Sequence, residues 1–504
     1  MERVTHPPSS TAGAAPAAEG PANPWPALWA LIVGFFMILV DVSIVSIATP
    51  ALMTDFGAPI EDVLWVTSAY LLAYAVPLLI TGRLGDLLGP KRVYLVGLAV
   101  FTASSLACGL ADSIEALVAA RVVQGLGAAM MTPQTMAVIT RTFPVDRRGS
   151  AMALWGAVGG VAFLVGPLLG GILIDSVGWE WIFFINVPFG ILGFVAAVRL
   201  VPSLQTHAHS FDWVGVALSA VGLFCLVFAL QEGEKHDWGT IAGPISVPLL
   251  LGVGAVLLVV FVWWQSRVQP EPLVPLSLFR DRNFSLANVS ITLMGLAINA
   301  MMFPMLVWLQ VVRGLSPTEA AFVLVPQSIA SIALARPVGR MIDRLHPRIL
   351  PTLGLGGFAV TLFVLVALMT PDSPMWLIVT VVTFIGVTGA LIWGPLATTA
   401  NRNLPLRLAG AGAGVYNTTR QVGSVIGSSA IAALMSARLA AHLGPAAGDM
   451  TVGEGGTAGV GDVPPAVLDG LSAAFRESML LPAGVLVVAA IAAAGLERMR
   501  HARG

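Results

Sequence analysis

Gly82-Arg83-Leu84-Gly85-Asp86 returns later in the chain as Gly339-Arg340-Met341-Ile342-Asp343, and the organisation of the molecule is read outward from this pair. Each copy closes an apolar run, the first near 63–82 and the second near 320–338, both close to the ~20 residues that a bilayer-spanning helix requires. Because both copies occupy the same slot after such a run, a chance five-residue match explains them poorly. Extending the search gives fourteen apolar segments, near 28–49, 63–82, 93–111, 115–139, 151–173, 181–200, 213–230, 244–264, 285–309, 320–338, 350–369, 375–399, 412–435 and 476–496. Numbered as spans 1 to 14, they place the copies after spans 2 and 10. Two six-helix halves are therefore expected, spans 1–6 and 9–14, as parallel repeats about an axis along the membrane normal, with spans 7 and 8 inserted between them.

Composition agrees. Of 504 residues 57% are hydrophobic and 11% charged, against ~25% charged in soluble domains, so the bilayer must be the main solvent. The expected fold class is an all-α integral membrane protein. Its parts are a disordered tail at 1–24, a first half at 25–200, two inserted helices with a linker at 201–284, a second half at 285–497 and a short tail at 498–504. A Gly/Ala-rich loop at 439–470 is expected to be flexible. The net charge is −1 and the basic residues form no tract, so nucleic acid is not an expected partner. Most of them, including Arg83, Lys91, Arg92, Arg147, Arg148, Arg340 and Arg344, fall on the side that holds both termini, which predicts cytoplasmic termini.

Asp41 is the one acid well inside a predicted span, where a charge costs about 2.5–3.5 kcal/mol on insertion scales, so a functional role is its default reading. Arg121 is the natural partner. At 1.5 Å per residue Asp41 lies roughly 18 Å up from Trp29, and Arg121 roughly 9 Å down from Glu115 at the opposite face. In a core about 30 Å thick those depths agree. Gln124, one turn after Arg121, completes a polar patch. An ion pair that merely ties spans 1 and 4 together is the plainer alternative. Proton coupling needs more: burial favours a neutral carboxyl, a nearby arginine favours the carboxylate, and small rearrangements toggle between them.

The stretch from Gly82 to Arg92, with Gly85, Asp86, Gly89 and Lys91, reads as a tight turn in which glycines permit close approach and Asp86 caps or pairs with a neighbouring helix end. Gly339 and Asp343 repeat that pattern; a plain basic loop would explain the arginines but not the recurring acid. Span 5 carries Gly156, Gly159, Gly160, Gly166, Pro167, Gly170 and Gly171, whose four-residue spacings give small-residue faces and whose proline invites a bend. Trp65, Tyr70, Trp155, Phe303, Trp308, Trp393 and Asn417 are candidates to line an amphipathic cavity, although core or lipid-facing positions account for them equally well. Arg420, inside span 13, has no intramembrane acid left to pair with; backbone carbonyls, water or an anionic substrate group remain open to it.

Absences bound the function further. No Gly-x-x-x-x-Gly-Lys-Ser/Thr loop occurs, so ATP is not a built-in energy source, and no hydrolase or zinc motif appears. Cys108 and Cys225 sit in apolar runs and read as packing residues. His207 and His209 read as a solvated pair, so no metal site is expected. An enzyme would need a catalytic cluster that the spans do not supply.

With those residues in view, the chain from about Trp25 onward resembles the fourteen-helix drug:proton antiporters of the major facilitator superfamily. Leu39-Val-Asp41-Val-Ser-Ile-Val-Ser-Ile-Ala-Thr-Pro50 looks like the span-1 signature, and Gly82 to Arg92 looks like the inter-span loop motif. Arg121-Val-Val-Gln124-Gly125-Leu-Gly127 is similar to the span-4 motif, and Gly166-Pro167-Leu-Leu-Gly170-Gly171 to the antiporter motif. Trp181-Ile-Phe-Phe-Ile-Asn-Val-Pro188, Leu278-Phe-Arg-Asp-Arg-Asn-Phe284 and Arg420-Gln421-Val-Gly423 are further matches. Leu87 and Glu180 depart from the pattern, where basic residues are usual.

The resemblance implies the major facilitator fold and proton-coupled export of amphipathic drug-like compounds from the inner membrane by alternating access. Asp41, Arg121 and Gln124 would handle the proton, the Gly82–Arg92 loop and its repeat would gate, and Gly166, Pro167, Gly170 and Gly171 would support export over import. The proton gradient would replace any cofactor, small-molecule substrate, protons and membrane lipids would be the partners, and a monomer would suffice. Export of a lipid or endogenous metabolite, or a lipid-handling scaffold without transport, are the alternatives.

Overall fold

Among the described residues thirteen helices are long and apolar enough to cross a membrane, and a fourteenth crossing forms if the bent pair Asp62–Ala75 and Leu78–Leu88 is one span. The bend, 46°, falls at Pro77, whose ring supplies no N–H and clashes with the preceding turn. The computed structural model describes residues 23–45, 47–144, 147–204, 206, 212–233, 235–268, 272–443 and 465–497. Both expected tails except Asn23 and Pro24, and the pair His207 and His209, lie outside the described residues.

Spans 1 to 6 are Trp25–Val45, the bent pair, Pro90–Gly109, Ile114–Thr142, Arg148–Val177 and Trp181–Leu200. Spans 7 and 8 are Trp213–Glu232 and Val247–Arg267. Spans 9 to 14 are Arg282–Val312, Pro317–Arg344, Ile349–Leu368, the broken pair Met375–Ala390 and Trp393–Asn401, Ala409–Leu443 and Pro465–Ala494.

Three boundaries differ from expectation, each for a local reason. Span 1 stops at Val45 instead of reaching 49, and a separate helix, Thr49–Phe56, starts with Pro50 in its first turn, where a missing N–H costs nothing. Gly57 ends that helix at φ 59°, a left-handed conformation. The loop expected at 439–470 is shorter, because spans 13 and 14 run on to Leu443 and from Pro465. Glu477 ties those ends together, taking Arg438 Nη1 and His442 Nε2 at 3.1 Å each; residues 444–464 lie outside the described set. Between spans 7 and 8 the chain is not helical: Thr240–Ala242 and Ile245–Ser246 pair antiparallel around Gly243 at φ 53°.

Within the first half, span 4 packs along spans 2 and 3, and span 1 along spans 5 and 6; in the second half span 9 packs along 13 and 14, and span 10 along 12. The halves meet along two seams, span 5 on span 10 and span 2 on span 13. In the repeat span 2 corresponds to span 10 and span 5 to span 13, so the two seams are equivalent under exchange of halves.

The inserted pair is fastened at one end and docked at the other. Asp212 caps span 7 through Gly215 N at 2.8 Å and accepts from Trp264 Nε1 at 2.9 Å and Gln265 Nε2 at 2.7 Å on span 8. Burial pushes the Asp212 carboxyl up, but these bonds and one from the Leu273 N–H outweigh it and hold the group below its ordinary value. Span 7 then lies on the span 2/13 seam: Val227 packs in one cluster with Leu72 and Val425, and Ser429 Oγ donates to the Leu230 carbonyl at 2.6 Å.

Candidate functional site

Asp41 on span 1, Arg121 and Gln124 on span 4 and Asn186 on span 6 are buried together inside the first half. Arg121 Nη1 donates to Asp41 Oδ2 at 2.5 Å and to Gln124 Oε1 at 2.7 Å. Gln124 Nε2 closes the triangle on Asp41 Oδ1 at 2.9 Å, which its position one turn after Arg121 makes possible. Asn186 Nδ2 reaches the same Oδ1 at 3.3 Å and Ser105 Oγ at 3.1 Å. On the other side Arg121 Nε donates to the Val66 carbonyl at 3.0 Å, and the guanidinium carbon lies 4.0 Å from the Tyr70 ring centroid. Two buried polar atoms in this cluster, Arg121 Nη2 and the Tyr70 hydroxyl, have no partner among the described residues.

Asp41 is not the sole support of Arg121. Each ion pays several kcal/mol of desolvation and is held by mutual attraction plus hydrogen bonds. Were Asp41 neutralised, Arg121 would keep the Val66 carbonyl, the Gln124 carbonyl oxygen and the face of Tyr70. Asn186 and Ser105 had not been singled out from the sequence. The signal was available for Asn186, a polar residue inside an apolar run, by the same rule that picked out Asp41. Cys108, read as a packing residue, is buried but also sits with its Sγ 3.6 Å from Gln124 Oε1.

The repeated loop forms a second site, built twice. Asp86 Oδ1 and Oδ2 accept from the backbone N–H groups of Gly410 and Ala411 at 3.0 and 2.9 Å, at the start of span 13. Asp343 Oδ1 accepts from Gly149 N at 3.1 Å, at the start of span 5. Each acid of the repeat thus caps a helix N-terminus of the opposite half, where unpaired N–H groups and the helix dipole favour negative charge. Close approach makes this possible. A Cβ on Gly82 would lie 2.6 Å from the Gly410 carbonyl oxygen, and one on Gly339 would lie 2.8 Å from Ser150 Cα. Gly89 turns the chain at φ 91° between spans 2 and 3, a conformation that side chains rarely adopt. Lys91 Nζ donates to the Val198 carbonyl at 2.8 Å, and Arg92 is exposed. The receiving N–H groups of Gly149, Gly410 and Ala411 carry no side-chain signal and were not legible beforehand.

Span 5 divides its glycines between two partners. Gly166 abuts Ser43 and the Val40 carbonyl of span 1, and a Cβ on Gly170 would stand 2.9 Å from Ile44 Cγ1 of the same span. One on Gly156 would stand 2.8 Å from Trp393 Cβ of the opposite half, whereas Gly171 has nothing within 4 Å. The helix continues without a break through Pro167.

The cavity candidates do not form one lining. Trp65 meets Phe228 of span 7 at 5.8 Å, Tyr70 belongs to the Asp41 cluster, and Trp155 stacks on Phe35 at 4.8 Å. Trp308 is fully buried within the second half, donating to Ser472 Oγ at 3.2 Å, while Phe303 is exposed. Trp393 stands at the span 5 seam, and Asn417 is buried with its Nδ2 3.9 Å from Met136 Sδ of the first half. Arg420 is partly exposed, with its Nε buried and unpartnered. Among the described residues no cluster of three metal-ligating side chains occurs.

Residues 31–428 match the family described as Major Facilitator Superfamily. Over 471 residues, 94% of this chain and 80% of the relative, the sequence is 48% identical to an uncharacterized MFS-type transporter of Mycobacterium tuberculosis. It is 34% identical to the tetracenomycin C resistance and export protein of Streptomyces glaucescens, covering 87% of this chain and 81% of that one. It is also 34% identical to the multidrug resistance protein Stp of Mycobacterium tuberculosis, covering 82% and 76%. Among solved structures the proton:xylose symporter XylE aligns with a TM-score of 0.62 at 13% identity, covering 93% of this chain and 94% of that one, a likeness of fold alone.

Proposed function

The chain belongs to the major facilitator superfamily, in its fourteen-helix drug:proton antiporter family, and from that premise we propose that it exports amphipathic drug-like compounds in exchange for protons. The observation that carries the proposal is the buried cluster around Asp41: a carboxylate, an arginine and two amides enclosed in one half, more polar apparatus than packing requires. A relative bearing the words resistance and export in its name supports the direction of transport. Family and fold point to a transporter rather than an enzyme.

In this reading the outward-facing protein takes a proton at Asp41, which loosens Arg121. The halves rock, substrate enters between them, the proton leaves to the cytoplasm, and the loaded protein returns outward. Proton and substrate need only bias the same two states. The caps made by Asp86 and Asp343 lie at the end of the bundle that carries the basic loops, so the present arrangement is read as closed to the cytoplasm. Both termini are placed on that side of the bacterial inner membrane, the proton gradient supplies the energy without a cofactor, and one chain suffices.

The test is uptake into inside-out vesicles under an imposed proton gradient, using cationic, neutral and anionic amphipathic dyes, by wild type and Asp41→Asn. Gradient-driven uptake of at least one dye, abolished by a protonophore and by Asp41→Asn, is expected. Uptake that survives Asp41→Asn would remove the proton from Asp41.

A further inference from the structure

Spans 9 and 13 cross at Gly295, where a Cβ would lie 2.5 Å from the Arg420 carbonyl oxygen. The crossing leaves the Arg420 side chain without a counter-ion: among the described residues it makes no ion pair and no hydrogen bond, and its Nε is buried. Two polar side chains near the crossing donate to backbone carbonyls and not to or from this guanidinium. Ser424 Oγ donates to the Arg420 carbonyl at 3.2 Å, and Asn299 Nδ2 to the Gly295 carbonyl at 3.1 Å. Backbone carbonyls, one of the three partners open to this arginine from sequence, are therefore not its partner.

One turn earlier on span 13, Tyr416 is fully buried and its hydroxyl is also unpartnered. Two hydrogen-bond donors, one of them cationic, thus stand a turn apart on one helix, with the equally unpartnered Asn417 Oδ1 and Thr418 Oγ1 between them in sequence. Asn417, between them in sequence, has its amide against Met136 of the opposite half, so this stretch of span 13 borders the space where the halves meet. Gly410 at the start of span 13 is ten residues away, about 15 Å along the helix, which puts Arg420 near half the depth of a core about 30 Å thick. An arginine present only to reach the interface would sit near a helix end.

We propose that Arg420 and Tyr416 form an anion subsite between the halves, and that the compounds this protein carries bear an acidic group, a carboxylate or an ionised phenol. This names a substrate class for the export reading and rests on it for the word carries; binding itself needs no gradient. A guanidinium fork and a phenolic O–H can both donate to one carboxylate, and the bond to the cation is the strong one.

The experiment is equilibrium binding to the purified full-length protein in lipid nanodiscs, without a gradient, of pyrenebutyrate and of its methyl ester, which differ only in the charge. Wild type is expected to bind the acid about ten-fold more tightly than the ester, the size of one good charge-assisted contact. Arg420→Gln is expected to bring the two within about three-fold of each other, with Arg420→Lys retaining part of the preference. Binding is read without a gradient, so a failure of proton coupling and a failure of the anion subsite give different results. Equal binding of acid and ester by wild type, binding of neither, or a preference unchanged in Arg420→Gln overturns the proposal; the first two need no variant to fold.

Discussion

At the residue scale the Asp41 cluster ranks its own members. Gln124 both accepts from Arg121 at 2.7 Å and donates to Asp41 at 2.9 Å, whereas Asn186 contributes one longer bond of 3.3 Å. Hydrogen bonds to charged groups contribute about 1.5–3 kcal/mol each, and 1.4 kcal/mol is a factor of ten. Gln124→Leu should therefore lower gradient-driven dye uptake by about ten-fold or more, while Asn186→Leu should cost only about a few-fold. Uptake rates in vesicles carrying equal amounts of each variant decide this, and the reverse order would show that Gln124 is not part of the coupling machinery. Asp41 and Arg121 were legible as a pair because charge inside an apolar run is costly, and their depths could be counted from the helix ends. Asn186 is a polar residue within an apolar run and is legible by the same rule, whereas Ser105 is too small and serine too common in spans to stand out.

At the element scale span 5 shows how one helix serves two neighbours. The spacing of its glycines marks close contact but not which contact is close. Gly166 and Gly170 press on span 1, Gly156 on the opposite half, and Gly171 on nothing within 4 Å. Gly166→Ala should thus lower thermal stability in detergent and reduce export, because its Cβ would meet the Val40 backbone as well as Ser43, and backbone yields little. The expected cost is about 1–3 kcal/mol, typical of overpacking. Gly171→Ala should be neutral or slightly stabilising, since a helical glycine costs about 1 kcal/mol relative to alanine. Equal damage from both would mean that the antiporter glycines act through backbone flexibility and not through contact with span 1. Span 2 carries the same lesson: its bend could be anticipated from Pro77, but its crossing with span 13 depends on Gly410 and Gly414, which lie far along the chain.

At the scale of the whole molecule two acids hold two halves. A charge at a helix N-terminus contributes up to about 2 kcal/mol in partly buried geometry, so the Asp86 and Asp343 caps together supply at most about 4 kcal/mol. Carrying a two-state equilibrium from 1:99 to 99:1 takes about 5.5 kcal/mol, so neither cap alone would throw the switch but the pair comes near it. The expected outcome is that Asp86→Asn and Asp343→Asn each open the capped end of the bundle partly, and the double variant far more. Labelling rates of cysteines introduced at the two ends of the bundle measure this. Labelling of the double variant no greater than that of either single variant would mean that the caps do not hold the closed state. The inserted spans 7 and 8 bear on the same motion, since Val227 and Ser429 fix span 7 to the span 2/13 seam while the span 5/10 seam has no such cover among the described elements.

What the sequence determined by itself was the kind of solvent, the number of crossings, the repeat and the intramembrane charges. All of these are local: apolar length, a recurring five-residue pattern, and an acid where an acid is expensive can each be read without knowing a neighbour. Tertiary structure alone decided who receives what. The backbone N–H groups that Asp86 and Asp343 cap have no side-chain signature. The aromatic candidates could not be sorted into cluster, seam, core and surface until every face of each helix had a partner, so that Trp308 proved internal to one half and Trp155 and Trp393 neighbours of a seam. Arg420 belongs to the same class: sequence left it three possible partners, and only the packing of span 9 against span 13 showed that no group nearby had taken the role.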